Sequence, residues 1–442
     1  MPKRVVIIGG GFSGLAAGVT LIEQGVDVLL LERRNHLGGR AYSFIDSRTG
    51  SPVDNGQHLF MGCYRHTIAF LHKIGCLDRL KFQDTPRVDF LDRKDGFVKF
   101  ECPPLPAPLH VIAGLLRMKG LSLGDKIRAL NVGRAIRANG SLESLTVDQW
   151  LDSLAQSERI RERFWNPMVI ATLNESPKTA SARMLKRVLE EAFGGGSSST
   201  SIGIASVPLS DLYTGGARKF IEARGGQVRT GTEIVRLVVE KDSVVAAELK
   251  TGETTPADFF ISSVPPHAFL QMLDEKTAKS FEPLGKLESS PIVSINLWFD
   301  RPVIDREFTG LIGTRCQWVF NKDLILSAEQ KTNHIAVIIS AARDFVDWTR
   351  DALVEMALSE LHEMIPASRQ AKLIQSAIVK EREATMAHTV ESDHLRPGPR
   401  TALANLVLAG DWTDTGLPAT IESAVLSGTI AAQIIGGQAN TD

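Results

Sequence analysis

Residues 4–32 read RVVIIGGGFSGLAAGVTLIEQGVDVLLLE. Arg4–Ile8 is a β-branched apolar run, the pattern of a strand buried on both faces. Leu15–Gln24 spaces its apolar residues as a helix does and stops at Gly25. Val26–Leu31 predicts a second strand, which ends at the acid Glu32. Strand, Gly9-x-Gly11-x-x-Gly14, helix, strand and acid therefore follow one another within about thirty residues. In that order Gly9 permits the tight turn, Gly11 lets the backbone approach a pyrophosphate, and Gly14 lets the helix pack on the strand. The helix N-terminus offers unpaired N–H groups to phosphate oxygens. Glu32, eighteen residues beyond Gly14, is placed to accept from ribose hydroxyls.

The remaining composition narrows the class. A chain of 442 residues, 43% hydrophobic and 23% charged, has room for two or three domains around a large core. A net charge of −1 argues against nucleic acid as the main partner. Cys63, Cys76, Cys102 and Cys316 are scattered, which suits a reducing cytoplasm and gives no metal-site spacing. The chain opens on a core strand, so no signal peptide is expected, and no apolar run is long enough to span a bilayer.

Three stretches read as one discontinuous nucleotide-binding domain: residues 1–75, 206–270 and 396–442. The second contains the strand-like Glu233–Val239, the hairpin-like Val244–Leu249 and Phe259–Val264. The third contains Asn405–Asp411, a strand ending in Gly-Asp, then a turn and the helix Ile421–Ile435. Residues 76–205 and 271–395 read as a substrate domain inserted twice. The first insert is helical and ends in Gly194–Ser199, which predicts a flexible connection. The second runs through strand-like Ile292–Phe299 and Ile335–Ser340 to the amphipathic helix Asp351–Met364. The expected fold class is α/β, a Rossmann-type dinucleotide domain with an interleaved α+β substrate domain.

After Glu32 the chain continues Arg33-Arg34-Asn35-His36-Leu37-Gly38-Gly39-Arg40. A second glycine pair and an arginine beside the ribose acid would add N–H groups and a guanidinium at the phosphates. With the C-terminal LVLAGDW, this resembles the flavoprotein superfamily of amine oxidases, protoporphyrinogen oxidase and phytoene desaturases. The resemblance implies a glutathione-reductase-like domain holding FAD, non-covalently because no cysteine follows Cys316. It implies that Gly9, Gly11, Phe12, Ser13, Gly14, Glu32, Arg33, Gly38, Gly39 and Arg40 hold the ADP half and phosphates. Ile234 would meet the adenine edge through its backbone, and Gly410 and Asp411 the pyrophosphate–ribityl region. Thr420 and Ile421 would aim the N–H groups of a helix start at the flavin pyrimidine oxygen.

Three further blocks, Val53–Tyr64, Pro103–His110 and Gly410–Ala424, are similar to the squalene-associated branch, the hydroxysqualene dehydroxylases of bacterial hopanoid pathways. That branch implies a flavin-facing loop containing Asn55, Gly56 and Gln57, a long isoprenoid substrate, hydroxysqualene, and neighbouring prenyl synthases as partners. Its reaction needs an acid to assist departure of hydroxide. The candidates are Asp54, His58 and Glu422, each with a structural alternative as turn cap, core histidine or first-turn helix acid. An isoprenoid also calls for membrane access. Leu109–Lys119 is apolar and flanked by base, and residues 117–140 hold Arg117, Lys119, Lys126, Arg128, Arg134 and Arg137 against Asp125. This reads either as a peripheral contact at the inner membrane of a cytoplasmic protein or as a solvated basic face. An isoprenoid desaturase, an amine oxidase and a non-catalytic flavin- or lipid-binding protein are the competing functions. Only three tyrosines, Tyr42, Tyr64 and Tyr213, weaken the amine reading.

Overall fold

Arg4–Ile8 is the central strand of a five-stranded sheet, and Val5, Val6 and Ile7 are fully buried. Asp27–Leu31 lies on one side in register Val5↔Val28, and Phe259–Ser262 on the other in register Val5↔Phe259. Gln227–Arg229 and Leu406–Leu408 complete the sheet outward, and all pairings are parallel. Strands from the front, middle and tail of the chain thus share one sheet. The computed structural model describes residues 3–138, 140–327 and 331–439, so the outer ends of the first and last segments (1–2 and 440–442) lie outside it.

Alternation along each strand sends side chains to opposite faces. Ile7, Val28, Leu30, Ile261 and Val407 pack under the helices Phe12–Glu23, Leu209–Glu222 and Ile421–Ala439. Val6, Ile8, Leu29, Leu31, Phe260 and Leu406 pack on the other face. There they meet the antiparallel ribbon of Ile234–Glu240, Ser243–Leu249 and Thr254–Pro256. Helices, parallel sheet and ribbon form three layers, the expected α/β class.

A second, seven-stranded sheet runs in the order 373–386, 289–299, 334–339, 318–321, 308–312, 87–92, 96–101. Both inserted segments contribute to it, joined by the parallel pairing Gly310↔Phe90. One face buries Val293, Ile295, Leu297, Ile335 and Val337 against helix Arg350–Met364. The other buries Phe308, Phe320, Ala336 and Ile338 against Leu59, Ile202 and Ile204. The helices between residues 109 and 194 form a separate core around Trp150, Phe164, Trp165 and Leu185.

Two features depart from the sequence reading. Leu373–Met386 is a 14-residue strand that hydrophobic alternation does not announce, because its side chains are only partly covered. Gly194–Ser199, read as a flexible connection, instead joins two helices through Gly195 and Gly196. Ser197–Thr200 is a short helix whose Ser199 and Thr200 are buried. Cys63 N–H donates to Ser199 O at 3.0 Å and Gly62 N–H to Ser201 O at 2.8 Å. The small residues serve close backbone packing: a Cβ on Gly62 would lie 1.8 Å from Ser198 O.

Candidate functional site

The cleft opens where the parallel strands end. Ile8, Leu31, Ser263 and Gly410 stand at its floor, and the order of strands reverses there, between Arg4–Ile8 and Phe259–Ser262. It encloses about 1620 Å³, solvent at its mouth included. Gly9 has φ +105°, and a Cβ on Gly14 would sit 2.0 Å from Gly9 O, so the first loop cannot accept side chains there. Glu32 is buried, with Oε2 accepting from Gly10 N at 2.8 Å and Oε1 from Arg34 N at 2.8 Å. The acid thereby shapes the loop and still has lone pairs for a ribose.

Of the residues expected to hold cofactor, Gly9, Gly11, Phe12, Ser13, Glu32, Arg33, Gly38, Gly39, Arg40, Ile234, Gly410, Asp411, Thr420 and Ile421 line this one cleft. Gly14 stands one residue behind it. The tail reaches the front through specific contacts. Arg40 donates to Asp411, Ser13 and Ser427 share a hydroxyl bond of 3.1 Å, and Gly410 N–H donates to Ser427 Oγ at 2.8 Å. Thr420 and Ile421 bring the positive end of helix Ile421–Ala439 to the cleft.

Asn55 and Gln57 are held by polar partners beside the cleft, and a Cβ on Gly56 would meet nothing within 4 Å. Asn55 Nδ2 donates to Arg40 O at 3.0 Å and to Glu381 Oε1 at 3.2 Å, and Gln57 Oε1 accepts from Lys322 Nζ at 2.7 Å. Two of the three acid candidates have other tasks. Glu422 turns to helix Arg65–Lys73, accepting from His66 N, Thr67 N and Thr67 Oγ1 at 2.8, 2.9 and 2.7 Å. It caps that helix, a role the sequence could not show because its partner lies 355 positions away. Asp54 is buried and paired with Lys322 Nζ at 2.7 Å, while its other oxygen accepts from Ser43 Oγ and Leu209 N. Burial alone would raise its pKa, but Lys322 and these donors outweigh it and hold the carboxyl below its usual range. A carboxylate so paired has no proton to give at neutral pH.

His58 lines the cleft. Its Nδ1 lies 2.9 Å from Gly56 O, and a carbonyl only accepts, so Nδ1 carries the hydrogen and Nε2 keeps a lone pair. Burial pushes its pKa below the usual imidazole range, with Asp54 and Glu381 opposing. At neutral pH it is an acceptor. Leu59, next in sequence, belongs to the apolar cluster of Ile204, Phe308, Phe320 and Ile338.

Sequence reasoning missed three supports. Tyr213 stacks on Phe12 with ring centroids 3.6 Å apart and donates to Gly38 O and Ala41 O, which ties the two glycine loops together. Arg396, buried, donates to the carbonyls of Asp411, Thr413 and Leu417 and braces the tail loop. Lys322 joins Asp54 to Gln57. Each is one polar residue without a local motif, so only its tertiary position identifies it. Among the described residues no cluster could hold a metal, and no helix is long and apolar enough to cross a membrane.

A model of the flavin containing amine oxidoreductases matches residues 12–436. The hydroxysqualene dehydroxylase of Rhodopseudomonas palustris is 30% identical over 98% of this chain and 99% of its own. A 15-cis-phytoene desaturase of an Oncidium hybrid is 26% identical, over 98% of this chain and 78% of its own. Among solved structures, an oxidoreductase from Methanosarcina mazei superposes with a TM-score of 0.76 at 19% identity, covering 97% of this chain and 100% of that one.

Proposed function

We propose, from the premise that the chain belongs to the flavin containing amine oxidoreductases and within them to the hydroxysqualene dehydroxylase family, that it replaces the C–OH of hydroxysqualene by C–H. Its cofactor is FAD, which the glycine loops, Glu32, Arg40 and the Thr420–Ile421 helix start would hold along one continuous cleft. When bound and reduced, FAD supplies the hydride. Overall, R–OH and fully reduced FAD would give R–H, water and oxidised FAD, the two hydrogens of the reduced flavin supplying both the hydride and the proton that leaves with the hydroxyl.

One observation carries the reading. His58 lines the same cleft as the glycine loops, together with the apolar Ala384, Ala419, Ile421 and Ala424. A long hydrocarbon needs apolar lining, and a single hydroxyl needs one polar contact within it. His58, with Nδ1 held by Gly56 O, would position the substrate hydroxyl through Nε2 and would not itself supply the proton for its departure. The apolar Ala384, Ala419, Ile421 and Ala424 of the cleft would help exclude water, which would otherwise capture the developing allylic cation. Neither Asp54 nor Glu422 offers an unengaged carboxylate for a substrate ammonium. That weighs against an amine substrate.

A desaturase is the second reading, supported by the likeness to a phytoene desaturase. The same cleft would serve hydride transfer in the opposite direction. Anaerobic mixing of photoreduced enzyme with hydroxysqualene separates the two. Flavin reoxidation with one squalene formed per flavin supports dehydroxylation. Unchanged reduced flavin, together with reduction of the oxidised enzyme by a more saturated isoprenoid, replaces it with desaturation. Prenyl synthases would supply the substrate, at the cytoplasmic side of the inner membrane.

A further inference from the structure

Five large apolar side chains, Leu105, Leu109, Leu116, Leu123 and Ile127, are exposed within residues 105–127. The other exposed large apolar residues, such as Phe97, Val245, Trp348 and Ile374, are dispersed along the chain. Helix Leu109–Arg117 places Leu109 and Leu116 seven positions apart, and helix Leu123–Arg137 places Leu123 and Ile127 four apart. Both spacings put their members on one helix face. The opposite faces supply the packing. Val111, Leu115, Ala129 and Val132 enter the helical core with Phe100, Trp150 and Phe164. Gly114 lies so close to the strand Gly96–Glu101 that a Cβ would come within 2.9 Å of Glu101 O. The inner faces therefore account for the docking of both helices, and the outward leucines contribute nothing to the core.

Charge surrounds this apolar face on one side of the balance. Arg117, Lys119, Arg128, Arg134 and Arg137 are exposed and Lys126 half-buried. Lys126 Nζ donates to Leu116 O at 2.8 Å and ties the second helix to the end of the first. The one acid of residues 117–137, Asp125, is buried. It is used in the capping box with Ser122 and accepts from Ser157 Oγ at 2.5 Å. No ion pair among the described residues engages Arg117, Lys119, Arg134 or Arg137.

We propose that this face, Leu105, Leu109, Leu116, Leu123 and Ile127 ringed by Arg117, Lys119, Arg128, Arg134 and Arg137, docks on an anionic lipid bilayer. Apolar side chains enter the acyl boundary while the ring of bases meets lipid phosphates. A second copy of the chain is the poorer partner, since a two-fold contact would set the same uncompensated bases against each other. The choice of a bilayer rests on the isoprenoid substrate proposed above, but its test needs no substrate and fails separately.

Flavin-loaded protein is sedimented with vesicles of phosphatidylcholine alone and of phosphatidylcholine with phosphatidylglycerol. Binding to the anionic vesicles is expected to be at least about tenfold tighter, in line with the attraction of basic residues to anionic lipid. The variant Leu116→Ser/Leu123→Ser/Ile127→Ser should lose about tenfold of that binding. Arg117→Glu/Lys119→Glu should lose the preference for anionic lipid. Both variants should keep the bound-flavin spectrum and full turnover of detergent-dispersed substrate, because these residues lie outside the cleft. Wild-type protein that stays in solution with anionic vesicles overturns the proposal, as do variants that pellet like wild type. A wild-type dimer that the Leu116→Ser/Leu123→Ser/Ile127→Ser variant dissociates, with no pelleting by either, also overturns it and marks the face as a contact between copies.

Discussion

Arg40 and Asp411, 371 positions apart, form an ion pair at the cleft, joining the second glycine loop to the Gly-Asp turn of the tail. Each side chain limits where the other can point, so the guanidinium at the cleft is oriented before any ligand arrives. Asp411→Ala should release that constraint and weaken FAD retention about tenfold, ~1.4 kcal/mol. Partial exposure of Arg40 keeps the loss modest. Flavin fluorescence during titration of the apoprotein measures it, and Asp411→Asn, which can still accept a hydrogen bond, should recover part of the affinity.

The Lys322–Asp54 pair tests how the substrate domain is attached. Both partners are buried, and Asp54 also receives Ser43 and Leu209. Lys322→Met should lower stability by roughly 3–5 kcal/mol, because it strands a buried carboxylate. Lys322→Met/Asp54→Asn should be less destabilised than that single variant. Urea unfolding of the three proteins provides the comparison.

His334 gives a pH dependence of stability. It stacks on Trp298 at 4.2 Å, its Nε2 bonds Asn296 Oδ1 at 2.9 Å, and burial with Lys322 nearby pushes its pKa down to about 3. The unfolded chain binds this proton at the ordinary value of 6.5 and the folded chain does not. Stability should therefore fall as pH drops from 6.5 toward 3, by about 1.4 kcal/mol per pH unit in that window. Asp54 adds a second loss only below its ordinary value of 3.8, since its folded pKa is lowered. His334→Gln should flatten the pH 4–6 slope of the urea midpoint, by an amount of the order just given.

Glu422 separates capping from catalysis. Glu422→Gln keeps an acceptor for Thr67 and should retain turnover within about twofold while losing roughly 1 kcal/mol of stability. His58→Phe, which removes the acceptor from the cleft and keeps the ring, should instead reduce kcat by about a hundredfold, the usual scale for a positioned polar group. Retained flavin absorbance in both variants makes the contrast readable.

The dinucleotide cleft was legible because its signal is local. The glycines at 9, 11 and 14, the flanking strands and Glu32 lie within one βαβ unit, where backbone sterics allow few alternatives. Gly38–Arg40 and Gly410–Asp411 were legible for the same reason, as local glycine turns, and both line the cleft.

The candidate acids were not. A carboxylate or imidazole acquires its chemistry from the groups that face it, and those come from distant segments. Lys322 holds Asp54 as an anion, helix Arg65–Lys73 occupies Glu422, and Gly56 O fixes which nitrogen of His58 is bare. Likewise the apolar run at 109–119 revealed its amount of hydrophobicity but not its direction. Packing against Phe100 and Trp150 sent Val111 and Leu115 inward and left Leu109 and Leu116 facing out. The sequence by itself determined the α/β class and the glycine loops that meet at one cleft, because backbone geometry and glycine spacing act over a few residues. Tertiary structure alone decided which side chains are ion-paired, which nitrogen of His58 is bare and which apolar side chains face outward, because electrostatics and burial depend on neighbours that the chain order does not reveal.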